Sequence, residues 1–221
     1  IVFPAVSGTN PVVSYAYTEY GQVAMETNAV GSVTSYEYDP PTGFLLKRVV
    51  GFGTSQEATN SFTYDALGNV LASTDPNGNT SSFQYDNLNR VIQATNAAPF
   101  NFATRTYYNA NGMISRIEKQ TSDIAHPWQT TSMEYDVLDR NTSVTNDMGN
   151  VVRFAYDANG NRILAQDANG IARRYRFDER DLLWQAIDAQ TNITTSAYDL
   201  NGNLKTVTDA HTNVARYAYD S

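Results

Sequence analysis

Apolar and polar residues alternate along most of the chain in short runs. The clearest runs carry two aromatic residues two positions apart, as Phe154 and Tyr156 do, with a small or polar residue such as Ala155 between them. A period of two places both rings on one face of a β-strand. No long stretch has the 3.6-residue apolar period of an amphipathic helix. The pattern therefore predicts a nearly all-β protein. Similar aromatic pairs end at Tyr17, Tyr38, Tyr64, Tyr85, Phe177 and Tyr219.

The second aromatic residue of each pair belongs to a regular mark, an aromatic residue followed by Asp or a close variant. Ten marks occur, and six of the nine intervals between them are 21 residues long. A fixed period of this kind is typical of repeat architectures. The three longer intervals indicate insertions near 40–60, 96–105 and 119–131. The ten marks are Tyr17-Thr18, Tyr38-Asp39, Tyr64-Asp65, Tyr85-Asp86, Tyr108-Asn109, Tyr135-Asp136, Tyr156-Asp157, Phe177-Asp178, Tyr198-Asp199 and Tyr219-Asp220.

Each repeat contains two turn signals. The first follows the mark, as in DANGN at 157–161, and the second comes about ten residues later, as in DANG at 167–170. Asp suits the first position of a type I turn because its carboxylate accepts a backbone N–H two residues on. Glycine supplies the positive φ with which the chain re-enters a strand. One repeat is therefore predicted to be a strand, a turn, a second strand and a second turn.

Stacking of these units follows from the weakness of an isolated hairpin in water. Neighbouring copies can cover one another's aromatic faces, with rings forming rows from repeat to repeat. We predict repetitive antiparallel β-hairpins stacked into one curved, solenoid-like sheet. Residues 1–14 are expected to form an N-terminal extended strand or edge, and residues 15–221 the repeat array. Open sheet edges at the ends of such an array would favour self-association.

Composition narrows the classes of partner. The chain has 221 residues, 41% of them hydrophobic, and includes 15 Tyr, which is too apolar and aromatic for a disordered chain. The net charge of −8 argues against nucleic acid or anionic lipid as the main partner. The absence of Cys excludes thiol catalysis and disulfides. No run of eighteen apolar residues is present, so membrane insertion is not expected.

The turn carboxylates are the candidate groups for chemistry. Asp157, Asn159 and Asn161 place oxygen ligands at alternate positions, as calcium loops do, but Gly160 comes two residues early and no suitably placed Glu follows. Turn formation is the simpler interpretation, and calcium stays an alternative. A carboxylate repeated at almost every turn is a structural part rather than a catalytic pair. No nucleophile or phosphate-loop motif is present, so we predict neither enzyme activity nor a cofactor.

The segment 119–131 departs from the repeat and holds Trp128 and His126 around Pro127. A Trp in a loop can be a hot spot for a partner. More often such a residue folds back over exposed apolar surface. Both readings stay open, and Trp128 and His126 are the candidate partner contacts.

The repeated words YDALGNVLASTDPNGNTSSFQYD at 64–86 and YDANGNRILAQDANGIARRYRFD at 156–178 resemble the Rhs family, also called YD-repeat proteins. The resemblance extends from about Tyr15 to Asp220, with weaker copies at 17 and 108. It implies long antiparallel hairpin arrays that wind into a spiral sheet. In complete proteins of the family the sheet closes into a hollow shell. The repeat-motif residues that carry the resemblance are Tyr64, Asp65, Gly68, Tyr85, Asp86, Tyr135, Asp136, Tyr156, Asp157, Gly160, Phe177, Asp178, Tyr198, Asp199, Gly202, Tyr219 and Asp220.

The resemblance also implies a function. Bacterial shells of this family commonly enclose a C-terminal toxic domain, as in insecticidal toxin complexes, and animal teneurins carry a related shell. Ten marks are too few for a closed shell, and the family's self-cleaving DPxGxxDPxG-type motif is absent, so we expect a piece of a larger secreted or cell-surface bacterial protein. Its expected role is a non-catalytic scaffold whose partners are the rest of the shell and an enclosed C-terminal domain. The alternative is an adhesion module that binds a carbohydrate or protein through exposed aromatic residues.

Overall fold

A computed structural model describes residues 12–219, which form nineteen β-strands and contain no helix. The strands are β1 Ser14–Tyr17, β2 Val23–Thr27, β3 Val33–Tyr38, β4 Leu45–Val50, β5 Ala58–Tyr64, β6 Val70–Thr74, β7 Thr80–Tyr85, β8 Val91–Thr95, β9 Ala103–Tyr108, β10 Ile114–Gln120, β11 Trp128–Tyr135, β12 Asn141–Asn146, β13 Val151–Tyr156, β14 Arg162–Gln166, β15 Ala172–Phe177, β16 Leu183–Ile187, β17 Ile193–Tyr198, β18 Leu204–Thr208 and β19 Val214–Arg216. Most of the expected N-terminal strand at 1–14, and Asp220, lie outside the described residues.

Contacts divide the chain into two units. The first comprises residues 1–106 and 119–124, and the second comprises residues 107–118 and 125–221. In the first unit each strand from β1 to β9 is antiparallel to the next. In the second the same holds from β11 to β19. The predicted fold class, an all-β array of stacked antiparallel hairpins, is confirmed.

The hairpin that follows a mark contains a β-bulge. In β5 and β6, Thr63 lies opposite Ala72 but Tyr64 lies opposite Val70, so Leu71 is an extra residue on the second strand. A bulge strengthens the local twist and removes one position from regular pairing. The corresponding extra residues are Ala24, Leu46, Leu71, Ile92, Thr142, Ile163, Trp184 and Lys205.

Each unit has an aromatic face and a polar face because the side chains alternate across the strands. On β7, Phe83 and Tyr85 share the aromatic face, whereas Ser82 and Gln84 lie on the polar face. Among residues 12–219 only Ala103, Ala172 and Ser143 are buried. The aromatic side chains of the marks are therefore mostly half-buried, and stability rests on contacts within the sheet.

The predicted rows of touching rings are wrong in detail. Strands that carry successive marks are separated by a second strand, which places them about 10 Å apart. That intervening strand presents a small residue opposite the first ring: Phe83 faces Ala94, and Phe154 faces Ala165. A ring contact across the array does occur near one insertion, where the centroids of Phe44, the residue before β4, and Tyr64 in β5 are 5.1 Å apart.

Candidate functional site: the repeated joint between hairpins

The turn after each mark is held by its Asp side chain. In the turn at 157–161, the backbone N–H of Asp157 donates to the carbonyl of Asn161 (3.0 Å), and that of Gly160 donates to the carbonyl of Asp157 (3.2 Å). Oδ1 of Asp157 accepts the N–H groups of Asn159 (3.0 Å) and Asn161 (2.9 Å). Oδ2 accepts the side-chain amide of Asn161 (3.1 Å). The carboxylate thus satisfies backbone donors that the tight turn leaves without a ladder partner.

The same arrangement of side-chain oxygen and two N–H groups recurs at both kinds of turn. Asn supplies the oxygen at Asn28, Asn109 and Asn146. Asp supplies it at Asp65, Asp75, Asp86, Asp136, Asp167, Asp178, Asp188, Asp199 and Asp209.

Hydrogen bonds to the ionised carboxylates lower their pKa values. The side-chain amide of Asn69 is the main cause for Asp65, and the guanidinium of Arg90 is the main cause for Asp86. These carboxylates are therefore ionised acceptors rather than proton donors at neutral pH. The pKa is lowered at Asp65, Asp75, Asp86, Asp136, Asp157, Asp178, Asp188, Asp199 and Asp209.

The Tyr of the mark joins its own hairpin to the preceding one. The hydroxyl of Tyr85 donates to the carbonyl of Val70 at 2.9 Å, and that of Tyr156 donates to the carbonyl of Asn141 at 3.0 Å. In each case the acceptor is the first residue of the preceding strand. We call this bond the tyrosine clasp. Further clasps run from Tyr38 to Val23 (3.0 Å), Tyr64 to Leu45 (2.8 Å), Tyr135 to Ile114 (2.8 Å) and Tyr198 to Leu183 (2.9 Å).

The clasp occurs where regular pairing stops. Strands β6 and β7 pair over only three positions, from Ala72 opposite Ser82 to Thr74 opposite Thr80. The carbonyl of Val70 lies beyond this ladder, and the hydroxyl of Tyr85 supplies its partner. Burial raises the pKa of the Tyr64 hydroxyl, which keeps this donor protonated. Phe177 occupies the same position in β15 without a hydroxyl.

Side chains also join successive turns along the edge of each unit. The amide of Asn69 donates to Oδ1 of Asn89 at 2.9 Å in the first unit. In the second unit, Oδ1 of Asp181 accepts the amides of both Asn159 (2.9 Å) and Asn161 (2.7 Å). A third bridge runs from Asn111 to Asp139 (2.7 Å).

These bridges explain three unusual backbone conformations. Asn89, Asp139 and Asp181 have φ values of 59°, 58° and 60°, in the region normally left to glycine. Each occupies the turn position at which the neighbouring repeats have glycine, and each uses its side chain to accept a bridge. The turns after the first two marks have Gly21 and Gly43, and from the third mark onward the position alternates as Gly68, Asn89, Gly112, Asp139, Gly160, Asp181 and Gly202. From Gly68 onward the structural period is therefore two repeats. The prediction from sequence treated all copies as equal, although this alternation was visible there.

Arginine side chains add bridges from a repeat with Asp at the alternating position to the repeat that follows it. Arg140 Nη1 donates to the carbonyl of Asp157 and Arg180 Nη1 to that of Asp199, both at 2.8 Å. Both arginines lie in repeats that have Asp at the alternating position, and both reach the following Gly repeat. The edge thus combines Asn donors from Gly repeats with Arg donors from Asp repeats.

Two turn glycines, Gly68 and Gly160, provide a matched test of how closely the turns are packed. Gly68 and Gly160 have φ values of +88° and +95°, but a Cβ on Gly68 would lie 2.8 Å from Cζ of Phe44, whereas one on Gly160 meets nothing within 4 Å. We expect Gly160→Ala to cost about 1 kcal/mol through backbone strain alone. Gly68→Ala should cost at least twice as much, because the Phe44 ring must also move. Urea unfolding midpoints of the two variants measure this difference, and equal midpoints would contradict the close packing at Phe44.

The residues predicted to contact a partner take no part in the turn hydrogen bonds, the tyrosine clasps or the bridges described above. His126 is exposed in the segment before β11, and Trp128 is the half-exposed first residue of that strand. Tyr219 is exposed beyond β19. Within residues 12–219 no group of three or more His, Cys, Asp or Glu side chains is placed to hold a metal ion. The same stretch has no helix long and apolar enough to cross a membrane.

Comparison with known families identifies the repeat in two stretches of the chain. Residues 64–98 and 135–172 match the family model described as RHS Repeat. Those two stretches are Rhs, or YD, repeats, and the same marks continue through the rest of the chain, which we call the YD array. No protein with a curated description matches the sequence significantly.

Two solved structures have the same fold as the YD array. The crystal structure of TcdB2-TccC3-Cdc42 matches with a TM-score of 0.70 and 12% identity over 89% of the array. That of TcdB2-TccC3-TEV matches with a TM-score of 0.71 and 11% identity over 95% of it. The array spans only 11% and 12% of those chains. At this identity the likeness concerns the fold.

Proposed function

We propose that this YD array is a structural scaffold without catalytic activity of its own, forming part of the wall of a larger protein. The observation that carries the proposal is the repeated joint, in which the mark Tyr and Asp are used to hold hairpins and turns together. The hydroxyl of Tyr156 donates to the carbonyl of Asn141, and the carboxylate of Asp157 accepts the N–H groups of its own turn. The fold shared with TcdB2-TccC3 over 89% of the array supports this scaffold role.

The wall is proposed to enclose a C-terminal toxic or effector domain in a secreted or surface protein of a bacterium. The support is the Rhs repeat itself, together with a fold also found in the much longer TcdB2-TccC3 chains. The direct partners would then be further YD repeats on either side of this array and the enclosed domain.

Protease protection tests the enclosure in the full natural polypeptide that carries these repeats. A domain inside the wall should resist added protease while the wall is intact. Replacing clasp tyrosines, for example in the double variant Tyr156→Ala and Tyr198→Ala, should open the wall and make that domain sensitive. A domain digested equally fast with the wall intact would contradict enclosure but not the scaffold role.

The adhesion alternative has its own readout. An adhesion module would show saturable binding to a glycan or protein array, and that binding would weaken on Trp128→Ala. A scaffold should show no saturable glycan binding. Catalysis would be indicated instead if one carboxylate substitution abolished a turnover while leaving the melting temperature unchanged.

A further inference from the structure

Positive charge is concentrated in the strands of the second unit. Strands β13 to β19 contain no Asp or Glu, although the protein has a net charge of −8. The acidic residues of that region all lie in the turns between the strands. The cations of these strands are Arg153, Arg162, Arg173, Arg174, Arg176, Lys205 and Arg216.

Four of these arginines lie on the polar face of the sheet, and we call them the arginine stripe: Arg153, Arg174, Arg176 and Arg216. Their cross-strand neighbours carry no negative charge. Arg153 lies opposite Ser143 and Gln166, Arg174 opposite Leu164 and Ile187, Arg176 opposite Gln185, and Arg216 opposite Thr206.

The guanidinium groups of the arginine stripe are available to a partner. All four side chains are exposed. Arg176 donates to Oε1 of Gln185 at 3.1 Å. Among the described residues, Arg153, Arg174 and Arg216 have no ion pair.

The fold does not require this charge. On the polar face of the first unit, Lys47 is paired with Glu37 at 2.9 Å. The following strands, β5 to β8, present only uncharged residues at the corresponding positions, among them Ser61, Ser82 and Gln93. The same hairpin architecture is therefore built with and without unpaired arginines, so their concentration in the second unit calls for an explanation other than folding.

We propose that the arginine stripe binds an acidic, extended polypeptide segment that runs across the strands. The planar guanidinium matches a carboxylate in two parallel hydrogen bonds, which makes an acidic peptide a suitable ligand. Arg153 and Arg174 lie on strands two apart, so their Cα atoms are separated by roughly 10 Å or more. An extended chain with an acidic residue at every second or third position has the reach to meet both.

The acidic turns favour a narrow peptide over nucleic acid. Asp157, Asp178 and Asp199 follow the ends of the strands on one side, and Asp167, Asp188 and Asp209 do so on the other. A phosphate backbone wider than the arginine stripe would meet these carboxylates and be repelled. This inference does not depend on the proposed enclosure, because it requires only an acidic segment that reaches the polar face.

Fluorescence polarisation of a labelled oligoglutamate peptide tests the proposal on the 221-residue chain at low salt. We expect saturable binding that weakens as salt is added. The double variant Arg174→Gln and Arg176→Gln should bind about fivefold more weakly, since two exposed ion pairs are lost. Arg153→Gln, on a different strand, should weaken binding by a smaller factor.

Arg173→Gln is the matched control, because Arg173 neighbours Arg174 in sequence but lies on the opposite, aromatic face, across from Ala165. It should bind the peptide as the unchanged chain does. The proposal is overturned if oligoglutamate shows no saturable binding or if Arg173→Gln loses as much affinity as the double variant. Equal or tighter binding of a labelled single-stranded oligonucleotide would also overturn it, in favour of a nucleic-acid surface.

Discussion

Replacing Tyr156 by Ala is expected to destabilise the protein by about 2–3 kcal/mol. The substitution removes a half-buried ring and the hydroxyl bond to the carbonyl of Asn141 at 3.0 Å. It also removes the ring beneath the guanidinium of Arg140, whose Cζ lies 4.8 Å from the ring centroid. Urea unfolding should show the lower midpoint. Amide exchange should accelerate first in β12 and β13, the two strands that the clasp joins.

Tyr156→Phe separates the two parts of this effect. It keeps the ring but leaves the carbonyl of Asn141 without its partner, so we expect a loss of about 1 kcal/mol. Phe177 shows that the fold accepts a ring without a hydroxyl at one such position. A Tyr156→Ala variant with an unchanged melting temperature would show that the clasp does not hold the hairpins together. If Tyr156→Phe cost as much as Tyr156→Ala, the ring would be dispensable and the hydroxyl alone would matter.

The hairpins could be predicted from sequence because their signals are local. A period of two in the aromatic residues and D-x-x-G in the turns act over a few neighbouring residues, and the turn at 157–161 has the bonds that this pattern requires. The clasp could not be predicted in this way. Its acceptor depends on where the bulge at Leu71 falls and on how soon β6 and β7 stop pairing.

One signal for the clasp was nevertheless present. Nine of the ten marks have Tyr and one has Phe177, whereas the position two residues earlier accepts Phe, Tyr, Thr, Met and Ser. A strict preference for Tyr over Phe indicates that the hydroxyl is needed. The expectation of touching ring rows failed for a different reason. It considered the marked strands alone, but each is separated from the next by a strand that places Ala94 or Ala165 against the ring.

The joint explains how a sheet with so few buried residues can be ordered. A sheet face normally needs a second layer to bury it. Here the hairpins are connected at three places instead: along the ladder, through the clasp, and through turn bridges such as Asn161 to Asp181. Each connection joins only neighbouring repeats, so stability should be nearly a sum of local terms.

Acidification should destabilise the protein steeply below about pH 4. Nine turn aspartates have pKa values below their ordinary value in the folded state, Asp65 and Asp199 chiefly through the side-chain amides of Asn69 and Asn203. The unfolded chain therefore takes up protons first as the pH falls. The stabilisation is complete above the ordinary pKa and is lost as the pH falls through the folded values. Urea midpoints should be level from pH 7 to about pH 5 and decline below pH 4.

The double variant Asp75→Asn and Asp199→Asn is the control for this acid sensitivity. Asn keeps an oxygen that can accept the two backbone N–H groups, as Asn146 does in its own turn, but it does not titrate. We expect the variant to be somewhat less stable at pH 7, because a neutral acceptor replaces an ionised one. Its loss of stability below pH 4 should be shallower, because two fewer groups take up protons on unfolding. A slope equal to that of the unchanged protein would show that the turn carboxylates do not govern acid unfolding.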